Sequence, residues 1–343
     1  MVGHDSIGVA WVAFGAMEQR RLGTSGLQVS RLGLGTMTWG RDTDEHEARD
    51  QLTAFVEAGG TLVDTSVGYG DGASETVLGS LIGDVVPRDL MVLATKAGIT
   101  FRDGTRRVDT SRRGLLRDLE TSLRRLGTDF VDLWQVHTWS DSAPLEETLA
   151  AMDEAVAAGK VRYLGISNYS GWQTARAATW QTAWPGRTPL VATQMEYSLL
   201  QRGIEREVLP AAAALGLGVL PWSPLGRGVL SGKYRTGTPA DSRAASPHFA
   251  AFVSPYLDAN AARVVTAVAT AAEGLGLAPL EVALAWVRDR PGVVAPVVGA
   301  RTAAQLRGSL QVEDLVLPQE IRDALDEVSE PVLDYPDDVG TGR

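Results

Sequence analysis

Eight short apolar runs set the frame for this chain. They are LGLGT (32–36), TLVDT (61–65), LMVLATK (90–96), FVDLWQV (130–136), VRYLGIS (161–167), LVATQM (190–195), LGVLPWS (217–223) and GVVAPVVGA (292–300). Their apolar residues run on rather than alternate, the pattern of parallel strands covered on both faces. Segments with helix punctuation lie between them. DTDEHEARDQLTAFVEAGG is acidic at its start and closes on glycine, and SRRGLLRDLETSLRRLG and APLEETLAAMDEAVAAGK close in the same way. Strands alternating with helices, without a long Pro/Ser linker, predict one α/β domain over residues 17–343, a closed (β/α)8 TIM barrel, with a doubly wound sheet as the alternative. A chain of 343 residues is long enough for either.

Four segments fall outside that rhythm. RRLGTSGLQVSRL reads as an N-terminal β-hairpin around TSG, and PQEIRDALDEVSE (318–330) as an extra C-terminal helix. Residues 234–256 are small, polar and proline-punctuated, so they read as a long loop at a strand's C-terminal end, of the kind that forms lids or binding loops. Residues 1–16 are mildly apolar but lack a basic n-region and carry Asp5, which makes a poor signal peptide. They read as a disordered or misassigned extension before a more ordinary start at Met17.

Composition excludes several classes of function. A net charge of −10 gains nothing from counterion release on a phosphate backbone and is not drawn to anionic lipid. No apolar run reaches the roughly 18 residues of a membrane span. There is no cysteine, hence no disulfide, thiolate metal site or Cys nucleophile. The four histidines, His4, His46, His137 and His248, show neither HxH nor HExxH spacing. The expectation is a cytoplasmic protein with a small-molecule partner, without metal, nucleic acid or membrane.

A (β/α)8 barrel carries its chemistry at the C-terminal ends of its strands. There the apolar runs end in polar residues: Asp64, with Tyr69 in the turn that follows, then Lys96, then His137. Taken singly, each has an ordinary structural role: a helix cap, a packed turn aromatic, a snorkelling lysine, a satisfied core histidine. Together they suit reduction of a carbonyl, which needs a proton donor for the developing alkoxide. A lysine ammonium about 4 Å from a tyrosine favours phenolate by roughly 4 kcal/mol at an effective dielectric near 20. That is about three pKa units, enough to bring Tyr69 toward neutrality. Asp64 would hold Lys96 charged, and His137 would hydrogen-bond the carbonyl oxygen.

At these residues the chain resembles the aldo-keto reductase superfamily, over nearly its whole length from Met17. The motifs are GLGTMTWG (33–40), VDTSVGYGDGASETVLG (63–79), LATK (93–96), VDLWQVH (131–137), KVRYLGISNYS (160–170), Gln194 in QMEYSLLQR, PWSPLGRGVLSGK (221–233) and GART (299–302). The resemblance implies a barrel binding NADP(H) across its mouth, a catalytic tetrad of Asp64, Tyr69, Lys96 and His137, and Tyr69 as the acid. It further implies that Thr36, Met37 and Asp64 border the cofactor, that Ser167, Asn168 and Gln194 hold the nicotinamide carboxamide, and that Trp222 stacks on its ring. Ser223, Pro224, Leu225, Gly226, Arg227 and Lys233 match the diphosphate loop. Gly299, Arg301 and Gln305 match the region of the 2′-phosphate.

The chain departs from the pattern at one place. Gly308 and Ser309 stand where many members have Glu and Asn against adenine, which weakens that contact. Trp39, Trp139 and Phe101, with Tyr69 and His137, are expected around the substrate, an aldehyde or ketone in an aromatic-lined pocket. The Arg-rich segment 102–113 reads as a solvated loop, because two aspartates interleave its charges. The resemblance also extends to the β-subunits of voltage-gated potassium channels. It therefore implies an alternative, a cofactor-sensing regulatory subunit of a membrane channel or other partner. Those subunits depart from the tetrad histidine, which is present here as His137.

Overall fold

The structure is a computed structural model that describes residues 17–331, apart from 103, 236, 240, 241, 247 and 248. The N-terminal extension expected over residues 1–16 lies outside the described residues. Twelve strands are described: β1 (Gln19–Arg21), β2 (Gln28–Ser30), β3 (Gly33–Gly35), β4 (Leu62–Asp64), β5 (Val92–Ala97) and β6 (Ile99–Arg102), then β7 (Thr105–Val108), β8 (Val131–Val136), β9 (Val161–Ser167), β10 (Leu190–Glu196), β11 (Gly218–Trp222) and β12 (Val297–Gly299). Eight of them close into a barrel in the order β10-β11-β12-β3-β4-β5-β8-β9. Every neighbouring pair in it is parallel. The doubly wound alternative is thereby set aside.

Alternation along each strand explains the barrel's interior. Leu62, Ala94, Leu133, Ala192, Leu220 and Ala295 form one apolar cluster, sealed from below by Leu22 and Val29 of the β1–β2 hairpin. Two residues further along, on the same inward face, the side chains turn polar: Asp64, Lys96, Gln135 and Gln194, each almost wholly buried. Gly165 sits opposite Gln135, and a Cβ there would stand 3.0 Å from the Gln135 Cγ, so glycine leaves room for that amide.

The helices follow their sequence signals. Glu45–Glu57 is capped by Asp44, whose carboxylate accepts from the Glu47 N–H at 2.9 Å, and Arg112–Leu126 by Ser111, whose hydroxyl accepts from the Gly114 N–H at 3.1 Å. The expected C-terminal helix spans Gln319–Val328. Among the described residues no single helix is long and apolar enough to cross a membrane. Ala259–Leu275 and Pro279–Arg288 pass that test only as a pair, bent by 102°.

Two expectations are corrected. The segment 102–113 is not all loop: β6 and β7 pair antiparallel from Ile99↔Val108 to Arg102↔Thr105, and the helix Arg112–Leu126 begins inside it. Strand β7 is exposed, so its arginines are solvated while its backbone is paired. The segment 234–256 carries short helical turns at Arg243–Ala245, Ala250–Val253 and Ser254–Tyr256. Residues 253 and 256 of it are buried against the barrel.

Candidate active site

The polar layer meets at one point. Lys96 Nζ donates to Asp64 Oδ2 at 2.6 Å, to the Thr65 carbonyl at 2.9 Å and to the Tyr69 hydroxyl at 3.3 Å. Asp64 Oδ1 accepts from Gln194 Nε2 at 2.8 Å and from Gln135 Nε2 at 3.5 Å. Tyr69 reaches the cluster from the turn after β4, where its N–H donates to the Ser66 carbonyl at 3.1 Å. Gly68 makes that turn possible: a Cβ would stand 2.5 Å from the Ile99 carbonyl oxygen. His137 follows β8 and meets Tyr69 edge-on, ring centroids 5.9 Å apart. Its backbone is held at both ends, the N–H by the Ala97 carbonyl and the carbonyl by Asn168 Nδ2.

The electrostatics assign protonation states. Burial works against the Lys96 charge, but the Asp64 carboxylate and Tyr69 outweigh it and hold the ammonium above its ordinary value. Burial pushes the Tyr69 phenol up, the Lys96 ammonium pulls it down and Asp64 pushes it up again; the net direction is upward. This corrects the expectation that Lys96 would bring Tyr69 toward neutrality. Burial favours the uncharged phenol and outweighs the pull of Lys96, which Asp64 offsets in part. Burial, then Lys96 and Arg106, hold His137 well below its ordinary value, so its imidazole is neutral.

Asp64, Tyr69 and His137 line one cleft at the barrel mouth with Met37, Ser167, Asn168, Gln194 and Trp222. Ser223, Pro224, Leu225, Arg227 and Gly299 line it as well. Asn168 is a hub there: Oδ1 accepts from Trp222 Nε1 at 3.0 Å, and Nδ2 donates to the Ser167 hydroxyl at 3.1 Å. Asn168, Ser223 and Arg227 all take positive φ, strained conformations gathered on the rim of one cleft. Thr36 stands behind that wall, its hydroxyl bonded to the Asp64 carbonyl at 3.2 Å and to Ser74 at 2.7 Å.

The remaining expected residues divide. Gly226 is buried in the turn Gly226–Ser231, and Lys233 Nζ lies 3.6 Å from where a Cβ on Gly228 would stand. Arg301 donates its N–H to Gln305 Oε1 at 3.0 Å, and the buried Ser309 hydroxyl donates to the Gln305 carbonyl at 3.2 Å. The pocket aromatics are corrected. Trp39 is fully buried, its indole N–H donated to Gln51 Oε1 at 3.0 Å, so it packs the core and does not reach the cleft. Trp139 packs edge-on between Tyr169 and Trp172 outside the cleft lining. Phe101 is exposed and borders a separate groove beside the β6–β7 hairpin.

One cleft residue, and one that braces the cleft from behind, carried no sequence expectation. Phe252, from the 234–256 segment, lines the cleft and stacks on Trp222 with 18° between the rings. Glu196 holds Arg227 by two hydrogen bonds, of 2.7 and 2.6 Å, while the guanidinium lies 4.1 Å from the Phe252 ring centroid. Glu196 continues the inward face two residues beyond Gln194, a spacing that the sequence contained.

The family model for aldo/keto reductases matches residues 31–330. This chain belongs to the aldo/keto reductase family. It is 37% identical over 326 residues to the uncharacterized oxidoreductase YrpG of Bacillus subtilis (strain 168), covering 91% of this chain and 96% of that protein. It is 33% identical over 350 residues to protein tas of Escherichia coli (strain K12), covering 93% and 99%. A probable voltage-gated potassium channel subunit beta of Oryza sativa subsp. japonica is 33% identical over 320 residues, covering 91% and 96%. This aldo/keto reductase is an oxidoreductase, of a family that uses NAD(P)H and acts on small carbonyl compounds. Among its described residues, no group of three or more metal-ligating side chains gathers.

Proposed function

We propose that this chain is a cytoplasmic NADPH-dependent carbonyl reductase in which Tyr69 is the general acid. The observation that carries this reading is the Lys96–Tyr69 contact. An ammonium has donors only, so at 3.3 Å the Tyr69 oxygen accepts and the phenol proton is left to point elsewhere. The cleft is the open direction. Asp64 at 2.6 Å keeps Lys96 charged and aimed. A neutral His137 beside Tyr69 adds a second donor for the same carbonyl oxygen, stabilising charge that develops in the transition state.

The cleft's own residues fit a nicotinamide cofactor. Trp222 presents an aromatic face, and the Ser167, Asn168 and Gln194 side chains supply both donors and acceptors within reach of one another. Arg227 lines the cleft, and Lys233 and Arg301 would add cations for phosphate groups, Arg301 for the 2′-phosphate. The bound cofactor would supply the hydride; Tyr69 supplies the proton. Met37, Trp222, Leu225 and Phe252 give the cleft an apolar lining, which suits an aldehyde or ketone with an apolar body.

NADPH consumption over a panel of aliphatic, aromatic and sugar carbonyls tests the reading. Turnover in the wild type, and its loss by about 10²–10⁴-fold in Tyr69→Phe with cofactor binding retained, is the expected result. Retained turnover in Tyr69→Phe removes the tyrosine from the role of acid. The second reading, a cofactor-sensing regulatory subunit, draws on the relatives named as channel β-subunits. A stoichiometric membrane partner together with negligible reductase activity would put it first.

A further inference from the structure

The turn that carries Tyr69 also carries Ser66, a residue for which the mechanism above has no use. Ser66 is fully buried, and its hydroxyl lies 3.1 Å from His137 Nδ1. Two other groups meet the same oxygen at longer range: the Gly68 N–H at 3.4 Å and the Lys96 carbonyl oxygen at 3.4 Å. A serine hydroxyl has one proton to give and lone pairs to accept with. The Gly68 N–H can only donate, so it takes one of those lone pairs. The Lys96 carbonyl already accepts from the Val67 N–H at 3.1 Å. The hydroxyl proton is then best placed on the shortest contact, His137 Nδ1.

That assignment decides which nitrogen of His137 carries hydrogen. A neutral imidazole has one N–H, and the hydrogen bond made by one nitrogen settles the state of the other. We propose that Ser66 is a positioning residue: by donating to His137 Nδ1 it fixes the Nε2–H tautomer, so that the ring offers a donor, not a lone pair, to a carbonyl oxygen in the cleft. In the opposite tautomer Nδ1–H would point at Ser66, and a bare Nε2 would face the substrate oxygen lone pair to lone pair. The use of the tautomer rests on the carbonyl-reductase reading; the Ser66–His137 arrangement does not. Both ends of the His137 backbone are already hydrogen-bonded, so the ring's rotation and proton are what Ser66 has left to fix.

The test is a two-bond ¹H–¹⁵N correlation spectrum of the cofactor-free full chain at neutral pH, with the His137 ring assigned by its loss in His137→Gln. The expected spectrum shows His137 protonated at Nε2 in the wild type and a mixture shifted toward Nδ1–H in Ser66→Ala. Turnover with NADPH should fall about five- to tenfold in Ser66→Ala, the effect of one neutral hydrogen bond, with the cofactor Kd unchanged and the rate restored in Ser66→Thr. A wild-type ring protonated at Nδ1, or a Ser66→Ala ring identical to the wild type, overturns the proposal. If no carbonyl is reduced at all, the spectrum still decides the tautomer, and it is the proposed reaction that fails.

Discussion

Lys96 Nζ and Asp64 Oδ2 stand 2.6 Å apart with side-chain exposures of 1% and 3%, a sealed ion pair at the centre of the barrel mouth. Two charges so placed have given up their hydration, and only their mutual attraction and the surrounding hydrogen bonds offset that cost. Gln194 and Gln135 supply such bonds to Asp64, and the Thr65 carbonyl supplies one to Lys96. The pair is therefore a liability for stability whenever one member is removed. Its retention makes sense as a device that holds an ammonium against Tyr69.

Asp64→Asn should cost about 3–5 kcal/mol of unfolding free energy, because it leaves Lys96 buried and charged without its counterion. The double variant Asp64→Asn with Lys96→Met should recover part of that loss while remaining inactive. Denaturant unfolding of the wild type and the two variants checks this. A double variant no more stable than Asp64→Asn alone would show that the cost lies in lost packing, not in an unpaired charge.

Much of this arrangement was legible in the sequence. The run read over 161–167 is β9 to the residue, and the other barrel strands agree to within about two residues except at the last. The run 292–300 contributes only Val297–Gly299, because Pro296 has no N–H to give to a ladder and Val293 makes only an isolated bridge to Val219. The β6–β7 hairpin was hidden because exposed arginines on β7 mask any apolar period. The pairings of Ser66 and Glu196 are hidden from the sequence for another reason. A small hydroxyl or a carboxylate beside an apolar run has many ordinary uses, and its partner, His137 or Arg227, lies 71 or 31 residues away. Trp39 is ambiguous in the same way: a tryptophan near a strand end looks alike from sequence whether it faces the cleft or, as here, Gln51.

Arg301→Ala should separate the two nicotinamide cofactors. Its guanidinium makes no ion pair among the described residues, and a forked bond to a 2′-phosphate is charge-assisted, with a typical value of about 1.5–3 kcal/mol. The variant should lose about ten- to a hundredfold in kcat/KM with NADPH and little with NADH. Steady-state kinetics with both cofactors measure it. Equal efficiency with both in the wild type would remove Arg301 from cofactor selection.

Glu196→Gln should tighten cofactor binding. In the structure Glu196 occupies the Arg227 guanidinium with both carboxylate oxygens, the fork that a diphosphate would use. Removing its charge frees the fork and takes an anion away from the phosphates. A part-exposed ion pair of this kind contributes about 1 kcal/mol, so the Kd for NADPH should fall by a factor of about three to ten. Fluorescence titration of cofactor into wild type and variant reads this. Weaker binding in the variant would mean that Glu196 serves to aim Arg227 instead of competing for it.

His137 should make the protein acid-sensitive in a way that can be assigned to one ring. Its folded-state pKa lies well below its ordinary value, through burial first and then through Lys96 and Arg106. In the unfolded chain it titrates near about 6.5. Below that pH the unfolded state binds a proton that the folded state does not, so stability rises with pH across this window and is lost as pH falls from about 6.5 toward the folded-state value. The slope from one such group reaches up to about 1.4 kcal/mol per pH unit. His137→Gln should be less stable than the wild type at pH 8, because it loses the ring's packing, yet should fall less steeply on acidification. Parallel urea unfolding curves from pH 8 to 5 measure both slopes. If the two slopes coincide, His137 is protonated as readily in the folded chain as in the unfolded one, and its neutrality in the cleft is lost with it.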